Sequence, residues 1–322
     1  MKMIKYIIIP AILIGLLSSC SEEVNDSSLQ DDFLLKTLGP AIAGETMEFA
    51  YAMGTLEGTL VSATATANFE GGEGTGFDPH SYHTDSRGND VGVLVATVNT
   101  EGSTSTADFD VDTVASTLRY TYVVPEEAKG QPFSITFEAE SSTGETVTTK
   151  TPEYRVSEMD MVKEIVMTND DVCYFSLETM QAYTEAEVVS EGMTENIDLI
   201  YIYDPVTPEG YIYGHSLVSP GSEEQYLNGR TVPSSFTKNR TKIEKLVFLR
   251  DMHFTGEVPA QFVDDIDLEN LDLSQATDFV LGINSMNSVF VESEDGRYRA
   301  YIYFNEARSR TLTFGIKRME MQ

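Results

Sequence analysis

The chain has 322 residues, with 21 Lys and Arg against 52 Asp and Glu, a formal net charge of −31. So acidic a protein has no use for nucleic acid as a partner, because binding phosphate draws on basic patches that release counterions. The length suits two domains, and the two cysteines, Cys20 and Cys173, leave no disulfide within the body if Cys20 is committed elsewhere.

Lys2 and Lys5 open the chain, followed by an apolar run from Ile7 to Leu17 with Pro10 inside it. The run is too short to span a bilayer, which takes about 20 residues, and its basic, apolar, small layout is that of a secretory leader over residues 1–19. Leu17-Ser18-Ser19-Cys20 resembles a bacterial lipobox, which makes Cys20 the lipidated first residue of the mature chain; the alternative is a plain secreted protein with a chance cysteine. Ser21-Glu22-Glu23 looks like the surface-export signal of Bacteroidota lipoproteins. The expected address is therefore the outer membrane, anchored through lipid and facing the exterior. Residues 20–32 are polar and acidic, and are expected to act as a flexible tether.

From 33 to 156 the pattern has period two. Met47, Phe49, Tyr51 and Met53 share one parity, as do Val61, Ala63, Ala65, Ala67 and Phe69. Val91, Val93 and Val95 follow, then Leu118, Tyr120, Tyr122 and Val124, then Phe133, Ile135, Phe137 and Ala139. Turn residues separate the runs, and short half-buried strands at this spacing predict an all-β, Ig-like sandwich. Neither a cysteine pair nor a tryptophan is present to make it a true immunoglobulin domain.

Residues 157–322 mix periods and predict an α+β domain with a mainly antiparallel sheet. Glu178 to Val189 reads as a helix, and Asn196 to Tyr203 as a strand buried on both faces. Lys245 to Leu249 reads as another strand, and Pro259 to Leu271 as helical or irregular, with Pro259 in a first turn. Val289 to Glu292 and Tyr298 to Phe304 flank Asp295-Gly296, a hairpin signal in which both central positions can take positive φ. A last strand is expected over Thr311 to Ile316.

The stretches LGPAIAGETMEFAYAM, GTLVSATATANFEGGEGT, TLRYTYVVPEEAKGQPFSITFEAESSTGETV, NIDLIYIY, GHSLVSPGS, LVFLRDMHF, IDLENLDLS and EDGRYRAYIYF together resemble the Bacteroidota lipoprotein family catalogued as domain of unknown function 4466, over about residues 36–316. The resemblance implies an extracytoplasmic lipoprotein with an Ig-like first domain, and carries no activity or catalytic residue. Similar lipoproteins accompany outer-membrane nutrient importers of the SusC/SusD type, an analogy of setting.

Chemistry-bearing residues are sparse. His80 and His83 could begin a zinc site with Asp78 or Asp85 as the third ligand, but two loop histidines three apart are more often solvated or hydrogen-bonded. His215-Ser216 sits outside any GxSxG elbow, the glycine-rich 70–76 loop lacks the Lys and Ser/Thr of a P-loop, and Cys173 in Val-Cys-Tyr-Phe reads as a buried small hydrophobe. Asp108, Asp110 and Asp112 would line one strand face while Phe109 and Val111 enter the core, and Asp264, Asp265, Asp267, Glu269 and Asp272 form a second acidic group. Either group suits a structural calcium ion by ligand type, but neither has EF-hand spacing, and solvated acidic faces are the simpler reading. No catalytic set and no cofactor site is assigned.

Tyr201, Tyr203, Tyr211 and Tyr213 surround a Pro/Gly loop and could stack on a sugar or hold a peptide side chain, or could be core residues of two strands. Arg297 and Arg299 alternate on the last hairpin, where they could pair with Glu292 or Glu294 or hold an anionic ligand. The candidate ligand residues are thus Tyr203, Tyr211, Tyr213, Arg297 and Arg299, in the second domain. The expected function is a non-enzymatic surface lipoprotein that binds an oligosaccharide or peptide for a nutrient importer; the alternatives are a structural or adhesive protein, and an unrecognised hydrolase.

Overall fold

A computed structural model describes residues 27–205, 213–256 and 260–321. The first domain carries strands β1 (Leu29–Leu35), β2 (Thr46–Thr55), β3 (Leu60–Ala67), β4 (Gly76–Thr84), β5 (Asp90–Leu94), β6 (Ala96–Glu101), β7 (Thr104–Phe109), β8 (Ala115–Val123), β9 (Pro132–Phe133), β10 (Ile135–Ser141), β11 (Thr146–Lys150) and β12 (Tyr154–Arg155). Two antiparallel sheets, ordered β1-β2-β8-β4-β5 and β11-β10-β3-β7-β6, form the sandwich, with β1 beside β11 and β4 beside β6 at its two sides. The inward parities of β2, β8 and β10 meet in one aromatic core. There Tyr51 stacks on Phe137 at 4.8 Å between centroids, and Tyr120 meets the same ring edge-on. These rings fill the place of the missing tryptophan and disulfide.

Two parities and one boundary depart from the expectation. The β3–β10 register shifts at Ser141, leaving Val61 as the extra residue of a bulge; Val61 turns out to 41% exposure and Leu60 takes the core position. Strand β5 pairs only with β4 at the sheet edge, so Val93 stays half exposed. The acidic stretch predicted to be tether as far as 32 already belongs to β1: Leu29, Phe33 and Leu35 face inward, and the inward Asp31 accepts hydrogen bonds from the Tyr51 and Thr149 hydroxyls, both at 2.7 Å.

The second domain carries β13 (Asp160–Thr168), β14 (Tyr174–Ser176), β15 (Gln181–Tyr183), α1 (Glu185–Ser190), β16 (Leu199–Asp204), β17 (Gly214–Val218), α2 (Glu224–Leu227), β18 (Lys242–Leu246), α3 (Met252–Thr255), α4 (Asp265–Glu269), β19 (Phe279–Ile283), β20 (Ser288–Glu292), β21 (Tyr298–Arg308) and β22 (Thr311–Glu320). Its sheets, β13-β22-β21-β20-β18 and β15-β14-β16-β17-β19, are antiparallel and share one apolar cluster. Strand β16 is buried on both faces, Leu199 and Tyr201 on that cluster, Ile200 and Ile202 on a second that includes Val188 of α1. The helix expected over 178–189 is instead β15 followed by α1. Met180 takes a positive φ, and a capping box between Thr184 and Glu187 starts the helix only after Thr184. Strand β18 ends at Leu246, and Phe248 is exposed. In the β20–β21 hairpin only Gly296 has positive φ; the Gly296 N–H donates to the Ser293 carbonyl, closing a wider turn than the two-residue form.

The two domains are packed together. Ile42 of the first joins Met159, Val263, Leu268, Tyr301 and Met319 of the second in a common apolar cluster. Lys163 of the second pairs with Glu45 of the first at 2.5 Å, and where the second domain begins Asp265 accepts from the Ser157 hydroxyl and the Glu158 N–H. Behind that cluster lies a fully buried ion pair, Lys317 Nζ to Asp251 Oδ2 at 2.6 Å. Among the described residues no helix is long and apolar enough to cross a membrane.

Candidate functional site

The predicted tyrosine site resolves into strand packing. Tyr201 is fully buried with its hydroxyl 2.7 Å from His215 Nδ1, and the half-buried Tyr203 leans on the same imidazole, 4.6 Å between centroids. Tyr213 is 3% exposed and its hydroxyl donates to the Gln225 carbonyl, so its ring faces protein instead of a ligand. Tyr211 lies outside the described residues, as do Cys20 and Pro259. Ser216, next to His215, is buried and donates to the Tyr213 carbonyl, as expected for neighbours that point apart.

The two arginines part ways. Arg299 pairs with Glu292 at 2.8 Å and donates to the Leu268 and Glu269 carbonyls, so it ties the end of α4 to the sheet. Arg297 reaches Glu320 at 2.9 Å and lies over the Tyr298 ring, at the rim of a pocket of about 360 Å³. That pocket is acidic, with Glu178, Glu195, Asp198, Glu294 and Asp295 among its walls. Asp198 is its buried carboxyl: burial pushes its pKa up to about 7, against the hydrogen bonds it accepts from the Leu177 N–H at 2.7 Å and the Thr241 hydroxyl at 3.3 Å. Sequence reasoning passed over it, although an acid inside Ile197-Asp198-Leu199 is the kind of interruption that marks a buried polar group.

The acidic groups are held in local structure. Asp264 caps α4 with Asp267 as its capping-box partner, Asp265 holds the first residues of the second domain, and Asp272 accepts from the Ser274 N–H. Asp108 and Asp110 are exposed, and so is Val111, which does not reach the core as the alternation had suggested. His80 contacts Asp78 at 2.7 Å, His83 is exposed, and Asp85 caps a turn. Among the described residues no group of three or more His, Cys, Asp or Glu is placed to hold a metal ion. Cys173 is buried, which pushes its thiol pKa up and away from nucleophile chemistry.

A larger concavity lies on the first domain instead. The pairing of β4 with β8 shifts between Phe77 and Ser81, and from Tyr82 onward β4 pairs with β5 alone. At the split, the Ser81 Oγ accepts the Thr117 N–H in place of a strand carbonyl. The result is an open trough of about 790 Å³, walled by Gln30 and Asp32 on one side and by Tyr82 and His83 on the other, over Ala52, Gly54, Ala115 and Thr117. Its volume falls in the range of small-molecule sites. Arg119 sits 3.8 Å over the Tyr82 ring, and the Tyr82 hydroxyl donates to Asp78, so the aromatic wall is fixed in place. Of the candidate site residues named from sequence, only His83 borders it; most of the others in its walls are small or polar residues with no distinguishing pattern.

Comparison with known proteins gives the family and little more. Residues 26–156 match the model of the domain of unknown function DUF4466, and residues 157–321 that of the domain of unknown function DUF8576. None of the curated proteins matches the chain. The crystal structure of a DUF4466 family protein from Parabacteroides merdae is similar at 37% identity and a TM-score of 0.86, over 92% of this chain and 99% of that one. The major pilin subunit BcpA of Bacillus cereus aligns at 10% identity over 90% of this chain and 66% of its own, with a TM-score of 0.31, too low to support a comparison. On the strength of a relative matched along its whole length, the chain belongs to the DUF4466 family.

Proposed function

We propose that this protein is a lipoprotein anchored through Cys20 to the outer membrane, facing the exterior, and that it captures a small polar ligand, an oligosaccharide or short peptide, for a nutrient-uptake system. The leader, the lipobox and the acidic Ser21-Glu22-Glu23 support the address. The trough carries the binding role. Its volume, its mixture of apolar floor and polar walls, and the fixed Tyr82 ring suit reversible capture, and the protein acts as a binder and not a catalyst. The site is thus moved from the second-domain tyrosines to the first domain. The test uses the full chain freed of its leader, residues 21–322, screened on a glycan array and against a peptide mixture beside Ala52→Trp, which fills the trough from an exposed floor position. Binding that the tryptophan abolishes supports the proposal; binding that it leaves untouched rejects the trough.

An adhesive role is favoured by one observation, the exposed Val93 and Leu94 on edge strand β5. Retention of a partner protein that Val93→Lys and Leu94→Lys together abolish, with no glycan or peptide bound, would select that reading.

A further inference from the structure

We infer that Lys317 and Asp251 condense into an intramolecular amide bond that ties the last strand, β22, to the start of α3, with His253 as the proton carrier. Among the described residues theirs is the only ion pair with both side chains fully buried; Lys242 and Glu292 are as close, at 2.5 Å, but Lys242 is 47% exposed and stays solvated. Lys317 Nζ lies 2.6 Å from Asp251 Oδ2 and 2.8 Å from the Val263 carbonyl, and the Phe254 ring stands 5.9 Å away. An ammonium has three N–H groups to place and finds two acceptors here. Burial lowers the Lys317 pKa, against the attraction of Asp251, and so favours the neutral amine that acts as nucleophile. Each carboxylate oxygen of Asp251 accepts a backbone N–H at 2.7 Å, Oδ1 from His253 and Oδ2 from Val263, donors placed where the oxyanion of a tetrahedral intermediate forms. His253 Nδ1 is 3.7 Å from Oδ1, buried and without a hydrogen-bond partner. Burial lowers the pKa of this imidazole and keeps it neutral, able to take a proton and to give one.

No oxidant or cofactor enters the condensation. One proton passes from the ammonium to the carboxylate, leaving an amine and an acid. The Nζ lone pair attacks Cγ, the C–N bond forms, and the carbonyl π pair moves onto Oδ2. On its return the C–Oδ1 bond breaks, and Oδ1 leaves as water with two of the three Nζ protons, relayed through His253 Nδ1. The third proton remains as the amide N–H, which keeps the Val263 carbonyl, while Oδ2 keeps the Val263 N–H. The His253 side chain, 13% exposed, marks the way out for the water. Two charges buried at a desolvation cost thus become one neutral group with its polar atoms paired. Fixed contact between amine and carboxyl replaces the high concentration that such a condensation needs in solution. The bond closes a loop between positions 66 apart, a restraint of the kind a disulfide gives, and Cys173 is the only cysteine among the described residues.

The experiment measures the intact mass of denatured residues 21–322 and maps a tryptic digest. The expected mass is one water below the sequence value. The expected peptide is branched, residues 251–297 joined to 311–318, with no cut after Lys317. Lys317→Met and Asp251→Ala should each restore the full mass. In a pulse of cell-free synthesis, His253→Gln should form the branched peptide about a hundredfold more slowly than wild type. Wild type at full mass, with the two peptides separate, overturns the bond, and this digest decides even where a variant fails to fold. A missing water that persists in Lys317→Met, or that maps to a cyclic imide at a single aspartate, overturns it too. A branched peptide formed at the wild-type rate in His253→Gln leaves the bond standing and overturns the proton carrier.

Discussion

Asp198→Asn is the substitution whose effect on pH dependence is worked most directly from the structure. The carboxyl is buried, 7% exposed, and its pKa rises from 3.8 to about 7 on folding, chiefly because burial penalises the charge. Between these two values the folded chain holds a proton that the unfolded chain has released. Stability therefore falls as pH rises across this window, by about 1.4 kcal/mol per pH unit and by about 4 kcal/mol over the whole interval. Asparagine keeps the geometry: its oxygen can still accept from the Leu177 N–H at the 2.7 Å position, and its amide can donate to Thr241. It carries no charge to desolvate. The chain has no tryptophan, so urea unfolding is followed by far-UV circular dichroism at pH 5, 6, 7 and 8. Relative to wild type, the variant should gain stability from pH 5 to about 7 and level off by pH 8. A difference between the two proteins that stays constant with pH would refute a raised pKa at Asp198.

Three further outcomes follow from the fold and the leader. Lys317→Met leaves the fully buried Asp251 carboxylate without its counter-charge and should lower the unfolding free energy by about 3–5 kcal/mol; adding Asp251→Asn should restore part of the loss in the same urea titration. Gly315→Ala sets a Cβ 2.5 Å from the Phe254 ring and 3.1 Å from the Lys163 carbonyl, an overpacking expected to cost about 1–3 kcal/mol by calorimetry. Cys20→Ala should stop lipidation, read as loss of acyl-chain labelling and release from the membrane fraction; a variant still retained by the membrane would count against the anchor.

Period-two parity carried the first domain because each long strand there has one face on a common core. Phe49 and Tyr51, Tyr120 and Tyr122, Phe137 and Ala139 are all buried where the alternation put them. It failed where pairing, not burial, decides. Val61 leaves the core through a bulge set by its partner strand, and Val93 sits on an edge with nothing above it. In the second domain the error was one of local competition. Glu178 to Val189 has helix-forming composition throughout, yet the Thr184 cap gives the chain a reason to start the helix late, while Tyr174, Phe175 and Ser176 draw Gln181 to Tyr183 into a strand pair. The trough was illegible for a different reason: a change in β4 register opens it, and its floor is Ala52, Gly54 and Ala115, residues that announce nothing.

The position of that trough ties the site to the anchor. Strand β1 begins at Leu29, nine residues after Cys20, a separation that reaches at most about 30 Å when fully extended. Ser28 and Gln30 border the trough, so a chain lipidated at Cys20 would hold its ligand that close to the membrane surface. Capture at such a height serves a partner in the same membrane better than one in the medium. Inserting 20 Gly/Ser residues after Glu23 adds a flexible span of about 25 Å. This should leave affinity in solution unchanged and slow uptake of the bound ligand by whole cells. Uptake unaffected by the longer tether would mean that the ligand is released and recaptured, with no direct hand-off. Equal loss of affinity and uptake would instead trace the effect to β1, whose Gln30 and Asp32 wall the trough.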